Sequence, residues 1–587
     1  MIDFPPWAIL IIGAALVPFL KGKIKNWYVI LLPAATFLLI CQLEIGASWK
    51  VHFFGFDLTF LRVDKLSKVF GYIFTINAVA AFVYAFELKD DTQHLAALFY
   101  IGSSLGVVFA GDVVSLYFFW EIMAVASTFL ILARKTEKSQ AAAMRYILVH
   151  IFGWLCLLAG IIMYINQTGS VDFNPMTDRN WGTYLILIGI LVNAAAPPAS
   201  AWLPDAYPES TVTGGVILSA YTTKTAVYTL VRGFPGWKVL IVIGCIMAIY
   251  GIIYALLEND MRRILAYSII NQVGFMVTGV GIGTIMSLNG TVAHAFCHII
   301  YKALLWMSAG SVLYMTGKSK CTDLGGLHKT MPWTLIFGCI GALSISSFPA
   351  TSGFTSKSLI IDGAIHEHLV WVWLVLEVAS AGVFLHAGIK FPYFVFFAKD
   401  KGLRPGETNK PMLIAMGFLS FLCIFLGLYP QPLYNVLPYE VHYQAYTFNH
   451  VISQLQLLML SALVFFLFLP LLKRTETISI DTDWFYRKGG RLFFNIMDKG
   501  LNGLMRISDR IFVNGLAGYL GRLSQDSPER ITLMALVPAW FLAGIRGEKL
   551  SHKKAVIHSA LRTGTLPVGI SAALATVFLI IVLLLNS

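Results

Sequence analysis

Residues 290–312 read GTVAHAFCHIIYKALLWMSAGSV, an apolar run that carries His294, His298 and Lys302 four residues apart. The run has the length of a bilayer-crossing helix. Four-residue spacing puts the three ionisable side chains on one helical stripe, stepped by about 6 Å each. An ionisable group in hydrocarbon costs roughly 3 kcal/mol or more, so such groups rarely persist there without a role. A single such histidine is ordinarily a satisfied core residue, and a stripe can also be a polar seam that joins helices. Three in a row point instead to a path for protons or cations.

The whole chain has a membrane composition. Of its 587 residues, 57% are hydrophobic and 13% charged, with a mean hydropathy of +0.73. Soluble proteins of this length carry about 25% charge. The 14 Trp, 24 Tyr and 42 Phe suit the two interfacial aromatic belts. The net charge of +12 comes mostly from short loops on one side and calls for no nucleic-acid partner. Seven scattered cysteines include no CxxC and no metal-ligand spacing. No disulfide framework, iron–sulfur cluster, zinc site or other metal or cofactor is expected. The first apolar segment, residues 7–20, follows Asp3 and lacks a basic leader, so it reads as a retained helix.

Apolar runs near spanning length recur at 5–20, 27–43, 67–87, 94–111, 113–133, 145–166, 183–200, 211–232, 238–257, 264–284, 290–314, 333–363, 370–397, 411–430, 453–472 and 565–585. This predicts an all-α polytopic membrane protein with about 14–16 transmembrane helices. The basic loops are KGKIK (21–25), RKTEK (134–138), MRR (261–263), KSK (318–320), KDKGLR (399–404) and KR (473–474). With the N-terminus outside, all of them fall inside, and the long loops 44–66, 167–182 and 431–452 fall outside. The expected location is the inner (plasma) membrane, with both termini outside.

Two segments look interrupted. NAAAPPASAWLP (193–204) holds the pair Pro197 and Pro198, and SFPATSG (347–353) holds Pro349 and Gly353. Proline ends or kinks a helix. Broken helices in corresponding halves point to an ion site between inverted repeats. From about 475 the composition turns to Arg, Lys, Gly and Asp with apolar residues at helical spacing, as in LNGLMRISDRIFVNGLAGYL (501–520). That reads as an amphipathic helix on the membrane surface or on a partner, followed by a last spanning helix.

Further ionisable residues lie at membrane depth. Glu121 sits in SLYFFWEIMAVAS, Lys224 near the centre of SAYTTKTAVYTL, and Lys357 just after the second interruption. Asp112 and Asp205 lie nearer segment ends and read as caps or interface residues. A chain of Glu, Lys and His can hand a proton on through water, since each charge alters its neighbours' affinity for protons. No nucleophile–base pair, phosphate loop or dinucleotide fingerprint accompanies them, so no bond-making catalysis is expected of this chain. GVGIG (279–283) reads as helix packing.

At these residues the sequence resembles the antiporter-like subunits shared by Mrp-type cation/proton antiporters, respiratory complex I and membrane-bound hydrogenases. The stretches that carry the resemblance are DVVSLYFFWEIM (112–123), AWLPDAYPE (201–209), TTKTAVY (222–228), ENDMRRILAYSIINQVGF (258–275), AHAFCHIIYKALLW (293–306), DLGGLHKTMP (323–332) and SFPATSGFTSK (347–357). The resemblance implies two inverted five-helix repeats, each with one broken helix. The implied organisation is N-terminal helices over 1–92, repeats over 93–257 and 258–400, C-terminal helices over 401–474, and an amphipathic extension with a last transmembrane helix over 475–587. It implies that Glu121 is the carboxylate of a charged pair, that Lys224 is the central lysine of the first repeat, that His294, His298 and Lys302 link the repeats, and that Lys357 is the terminal lysine. The family's usual lysine five residues before the proline that precedes the WLP motif, here Pro198, is replaced by Asn193, which cannot carry charge.

AYPESTV and TTKTAVYTLVRG are most similar to the D-type members of the Mrp antiporters, while the extension resembles the longer ends of the large complex I and A-type Mrp members. The resemblance therefore implies a membrane subunit of a multisubunit Na⁺/proton antiporter, with protons, Na⁺, the lipid bilayer and other membrane subunits as partners. Two alternatives stay open. One is a proton-pumping subunit of a redox complex of the NADH:quinone oxidoreductase or membrane-bound hydrogenase type. The other is a non-transporting module that energises a partner.

Overall fold

A computed structural model describes residues 4–46, 48–53, 55–470, 481–561 and 568–585. The basic pair at 473–474, the last residues of the segment expected at 453–472 and the first of the one at 565–585 lie outside the described residues. The chain divides into two units, Met1–Asp483 and Trp484–Ser587.

The first unit is a bundle of helices. In chain order they are α1 (Pro6–Ala14), α2 (Gly22–Gln42), α3 (Lys65–Tyr84), α4 (Asp91–Phe109), α5 (Val113–Leu132), α6 (Glu137–Thr168), α7 (Trp181–Asn193), α8 (Trp202–Ala206), α9 (Val212–Leu218), α10 (Thr222–Gly233), α11 (Val239–Leu257), α12 (Met261–Ile282), α13 (Ile285–Thr316), α14 (Pro332–Ile345), α15 (Ser352–His366), α16 (Val370–Val383), α17 (Lys410–Leu428), α18 (Gln431–Tyr434) and α19 (Phe448–Leu467). Their starts follow local chemistry. Asp64, Thr136 and Asn180 cap α3, α6 and α7 in reciprocal capping boxes with Ser67, Ser139 and Thr183.

Among the described residues, eleven helices are long and apolar enough to cross a membrane, with Trp181–Asn193 and Pro332–Ile345 as shorter apolar pieces. This is a multi-pass all-α membrane protein. Five of the sixteen expected segments are not among these eleven, because those at 183–200, 211–232 and 333–363 are each broken into shorter pieces, α1 spans only nine residues, and the last, at 565–585, lies partly outside the described residues. α12 and α13 form the centre and are buried along nearly their whole length. α2 and α6 lie outside and expose Leu31, Leu38, Phe152, Leu155 and Ile162, the side chains of a lipid-facing wall.

Residues 44–66, expected as a loop, contain an antiparallel hairpin of β1 (Ser48–Phe53) and β2 (Phe56–Arg62). β2 is stitched to the start of α5. Asp112 Oδ2 accepts from Thr59 N at 2.6 Å and from Ser115 Oγ at 2.7 Å. Its Oδ1 accepts from Val114 N at 2.9 Å and Ser115 N at 2.7 Å. Asp112 is therefore a fully used helix cap. Asp112→Ala strips all four bonds and should cost about 2–3 kcal/mol, read as a drop in thermal unfolding temperature in detergent.

Contacts sort the loops onto two faces. On one, Lys25 Nζ donates to Lys89 O at 3.0 Å, Arg134 and Arg262 both donate to Pro208 O at 2.8 Å, Cys321 N donates to Asn259 O at 2.8 Å, and Asn409 Nδ2 donates to Glu87 at 2.8 Å. On the other, Val113 N donates to Val171 O at 2.9 Å, Met176 N to Gly233 O at 2.8 Å, Gly236 N to Val280 O at 2.9 Å, and Asn289 Nδ2 to Tyr439 O at 3.0 Å. The basic loops among the described residues share the first face.

Three interruptions lie between these faces. The first runs from Asn193 to α8 and contains Pro197 and Pro198, with Ala195 at φ +60°. Trp202 Nε1 donates across it to Val192 O at 2.9 Å. The second, between Leu218 and Thr222, has neither proline nor glycine. The third, between Ile345 and Ser352, contains Pro349, with Ser347 at φ +58° and Ala350 at φ +71°. Gly353 is not part of that break but lies in the first turn of α15, where a Cβ would overlap the carbonyl oxygen of Ser344. In GVGIG, a Cβ on Gly281 would lie 2.5 Å from Ile241 N, so this patch packs α12 against α11.

Asp481, at the end of the first unit, is buried and accepts hydrogen bonds from Tyr267 OH at 2.6 Å and from Tyr250 OH. The second unit consists of α20 (Asp483–Ser508), a π-helical stretch (Asp509–Ala517), α21 (Gly518–Leu542), α22 (Glu548–Leu561) and α23 (Val568–Leu585). α20 is amphipathic, and within its unit Leu492, Phe493, Phe494, Leu501 and Leu504 are exposed.

Candidate functional site

The interruptions leave backbone carbonyls without helical partners, and lysines take them. Lys224, in the first turn of α10, donates to Ser219 O at 2.7 Å and to Thr223 Oγ1 at 3.1 Å. Lys357, in α15, donates to Ile345 O at 3.0 Å, and its Nζ stands 5.2 Å from the centre of the Phe275 ring. Lys302, in the unbroken α13, is held by Ser268 Oγ at 2.8 Å. All three are buried within the bundle. Lys357 therefore does not reach out to an interface.

The histidines fill the space between. His294 lies with Nε2 3.1 Å from Gln272 Oε1 and Nδ1 3.3 Å from Ser356 Oγ. Tyr301 OH donates to the same Gln272 oxygen at 3.2 Å. His298 is fully buried, and neither of its ring nitrogens has a protein partner among the described residues. Its ring centre lies 6.3 Å from that of His294 and 5.3 Å from that of Tyr301. His298 interacts electrostatically with Lys224, Lys302, His294 and Lys357, which makes these five residues one cluster. Buried polar atoms without protein partners are the kind that internal water satisfies.

Asn193 closes α7 at the first break, fully buried, and both ends of its amide lack a partner among the described residues. Glu121 stands apart. It is half-buried on the outward side of α5, in a groove of about 470 Å³ with Thr92, Phe99, Val125 and Phe129. Its neighbours Phe118, Val125 and Phe129 are all exposed, so this side of α5 faces away from the buried row.

The structure adds residues that sequence reasoning missed. Glu377 on α16 and Asp362 on α15 line a cavity of about 610 Å³ together with Lys357, Tyr443 and His450. The cavity reaches from the third break, at Ser347, to the exposed Gln444 and Asn449. Tyr443 OH donates to Asp362 Oδ2 at 2.6 Å. Lys357 and Glu377 interact electrostatically. On the π-helical continuation of α16 (Phe384–Lys390), His386 interacts electrostatically with Lys302, Lys390 and Lys357. Lys390 Nζ donates to Leu256 O and Glu258 O, each at 2.6 Å, and so closes the C-terminus of α11. The row thus runs on from Lys302 toward the basic face. Rule-of-four spacing, which selected 294, 298 and 302, also selects 386 and 390 inside the apolar run 370–397. Among the described residues, no group of three or more His, Cys, Asp or Glu is placed to hold a metal ion.

Residues 110–383, which hold this row except for His386 and Lys390, match the family described as NADH:quinone oxidoreductase/Mrp antiporter, transmembrane. Over this core the chain is similar to that family. Among its relatives, the D-type Na(+)/H(+) antiporter subunit of Alkalihalophilus pseudofirmus is 27% identical over 424 residues, covering 68% of this chain and 84% of that protein. The A-type antiporter subunit of the same organism is 27% identical over 494 residues, 73% of this chain but only 60% of that longer protein. An uncharacterized protein of Methanocaldococcus jannaschii is 26% identical over 472 residues, 74% of this chain and 96% of that protein. A chain of the membrane-bound sulfane sulfur reductase, an archaeal respiratory membrane complex, superposes with a TM-score of 0.72 at 22% identity, over 91% of this chain and 100% of that one. The Mrp complex from Dietzia sp. contains a chain with a TM-score of 0.75 at 22% identity, over 90% of this chain and 62% of that one. The chain therefore shares its fold with chains of both complexes.

Proposed function

We propose that this chain is the membrane subunit of a multisubunit Na⁺/proton antiporter and moves protons along the row Lys224, His298, His294, Lys302 and Lys357. The observation that carries the proposal is the buried cluster of three lysines and two histidines, with Lys224 and Lys357 at helix breaks and the other three on the unbroken α13. Removing one such charge from water is costly, and five gathered in one place need a function to justify them. The motion is electrostatic. When one amine gains a proton, repulsion through the poorly screened interior drives the next to release its own. Broken helices at 194–201 and 346–351, one in each of the stretches 93–257 and 258–400, support an organisation in two inverted repeats.

The cavity at Lys357 gives the row access to one face, and His386 with Lys390 continue it toward the other. Basic loops gathered on one face support a plasma-membrane topology with that face, and not the N-terminus, in the cytoplasm. Membrane partner subunits follow from the relatives named as A-type and D-type members of Na(+)/H(+) antiporters.

Glu377→Gln keeps the shape of the Lys357 cavity and removes its facing carboxylate. Proton flux in vesicles should fall by roughly one order of magnitude, with a displaced pH optimum. An unchanged rate and optimum would remove Glu377 from the path.

A second reading has its own support. The sulfane sulfur reductase chain is matched along its full length, which favours a proton-pumping subunit in a redox complex. Purification of the complex from native membranes in mild detergent separates the two. Small hydrophobic subunits without redox centres, together with Na⁺-dependent proton flux, support the antiporter. Co-purified iron–sulfur or hydrogenase-type subunits support the redox pump. A third reading, a non-transporting module, draws on Asn193. Asn193→Lys should leave activity unchanged or reduced under that reading, whereas a large gain would point to a degraded channel.

A further inference from the structure

Away from the buried row, a crevice of about 830 Å³ opens on the basic face where the α1–α2 turn meets the α3–α4 loop. Its rim carries Lys21, Lys23 and Lys89, all exposed, and none of the three has an ion-pair partner among the described residues. Lys25 also lines the crevice but is committed. It is buried, and its Nζ donates to Asp91 Oδ1 at 2.6 Å. Glu87, the other acid in the lining, accepts from Asn409. The crevice therefore presents three positive charges without an ion-pair partner against one exposed carboxylate, Glu87, whose partner Asn409 is neutral.

The remaining lining is apolar, with Pro18, Leu20, Phe86 and Leu88. Next to it, Phe19, Ile24 and Trp27 are 80%, 71% and 57% exposed, and the Trp27 ring meets that of Phe86 edge-on at 5.5 Å. A soluble anion has no use for such a surface. These residues sit at helix ends, at the depth where bilayer headgroups give way to acyl chains, and Trp marks that depth. Basic crevices between transmembrane helices at this level suit the phosphate of an anionic lipid.

We propose that this crevice holds an anionic phospholipid, its phosphate between Lys21, Lys23 and Lys89 and its acyl chains along Phe19, Ile24 and Trp27. The lipid fastens the turn between α1 and α2 to the α3–α4 loop, joining the first two helices to the rest of the bundle.

The test uses the full chain, stripped of lipid in detergent and offered phosphatidylglycerol, phosphatidylcholine or inorganic phosphate, with retained adducts read by native mass spectrometry. The wild type should retain one phosphatidylglycerol and release phosphatidylcholine. The triple variant Lys21→Gln, Lys23→Gln, Lys89→Gln should bind phosphatidylglycerol roughly 100-fold more weakly. The triple variant Lys318→Gln, Lys399→Gln, Lys401→Gln, on the same face but outside the crevice, should bind as the wild type does. Equal loss in both triples would reduce the effect to general surface charge and overturn the proposal. So would equal retention of phosphatidylcholine, or full displacement of the lipid by inorganic phosphate.

Discussion

Lys302→Ala should abolish the proposed cation-coupled proton flux while the chain still enters the membrane at wild-type level. The amine sits at the middle of α13 with only Ser268 Oγ at 2.8 Å and the more distant Leu265 O as partners. It bridges the electrostatic neighbourhoods of His298 on one side and His386 on the other. Alanine would remove the proposed proton carrier and leave a gap that water can enter but that binds no proton. A fall of at least about 100-fold in flux is expected. Folding is spared because the lost packing is offset by the relief of burying a charge. Lys224→Ala should behave alike, since it removes the one amine seated at the second break. Proton flux followed with a pH-sensitive dye in inverted vesicles, beside the amount of chain in the same membranes, decides the matter. Normal flux in both variants would remove the row as the path.

Gly353→Ala has the largest expected effect on stability. A single methyl group at 353 would overlap the carbonyl oxygen of Ser344, which is backbone and cannot swing aside as a side chain does. Relief requires pulling α14 away from α15 at the break that seats Lys357. A loss above about 4 kcal/mol is expected, enough to remove the folded species. Gly406→Ala serves as the control, since a Cβ there meets nothing within 4 Å. The readout is the monodisperse fraction and melting temperature of the two variants in detergent. A Gly353→Ala protein that melts within a few degrees of the wild type would show that this contact yields easily.

Much of the fold is legible in the sequence because bilayer thickness fixes helix length and loop charge fixes sidedness. The five described basic loops fall on one face, as their spacing requires. Two of the three helix breaks are visible through Pro197, Pro198 and Pro349. The break before Lys224 is not, since Ser219, Ala220 and Tyr221 carry no breaker chemistry and the gap is sustained by tertiary bonds, such as that from Tyr221 OH to Phe74 O at 2.9 Å. Glu121 shows another limit. α5 is apolar on every side, so its sequence does not reveal which side faces the bundle, and the carboxylate turns outward. The β1–β2 hairpin escaped notice because a short amphipathic run between long helices reads as a loop. His386 and Lys390 are legible, since their four-residue spacing in 370–397 matches that of 294, 298 and 302, whereas Glu377, nine residues before His386, lies off that spacing.

The seats of Lys224 and Lys357 have a consequence for the cycle itself. Each amine rests on a peptide carbonyl released by a helix break. A carboxylate counter-ion can be neutralised by the very protons it helps to move, but a peptide dipole cannot. The part of the attraction that comes from the carbonyl is thus untouched by the protonation of any carboxylate, and at Lys357 the facing Glu377 adds a second part that protons can switch off. In the proposed path the break acts as a return spring of constant stiffness, and after every transfer the row resets to one starting arrangement.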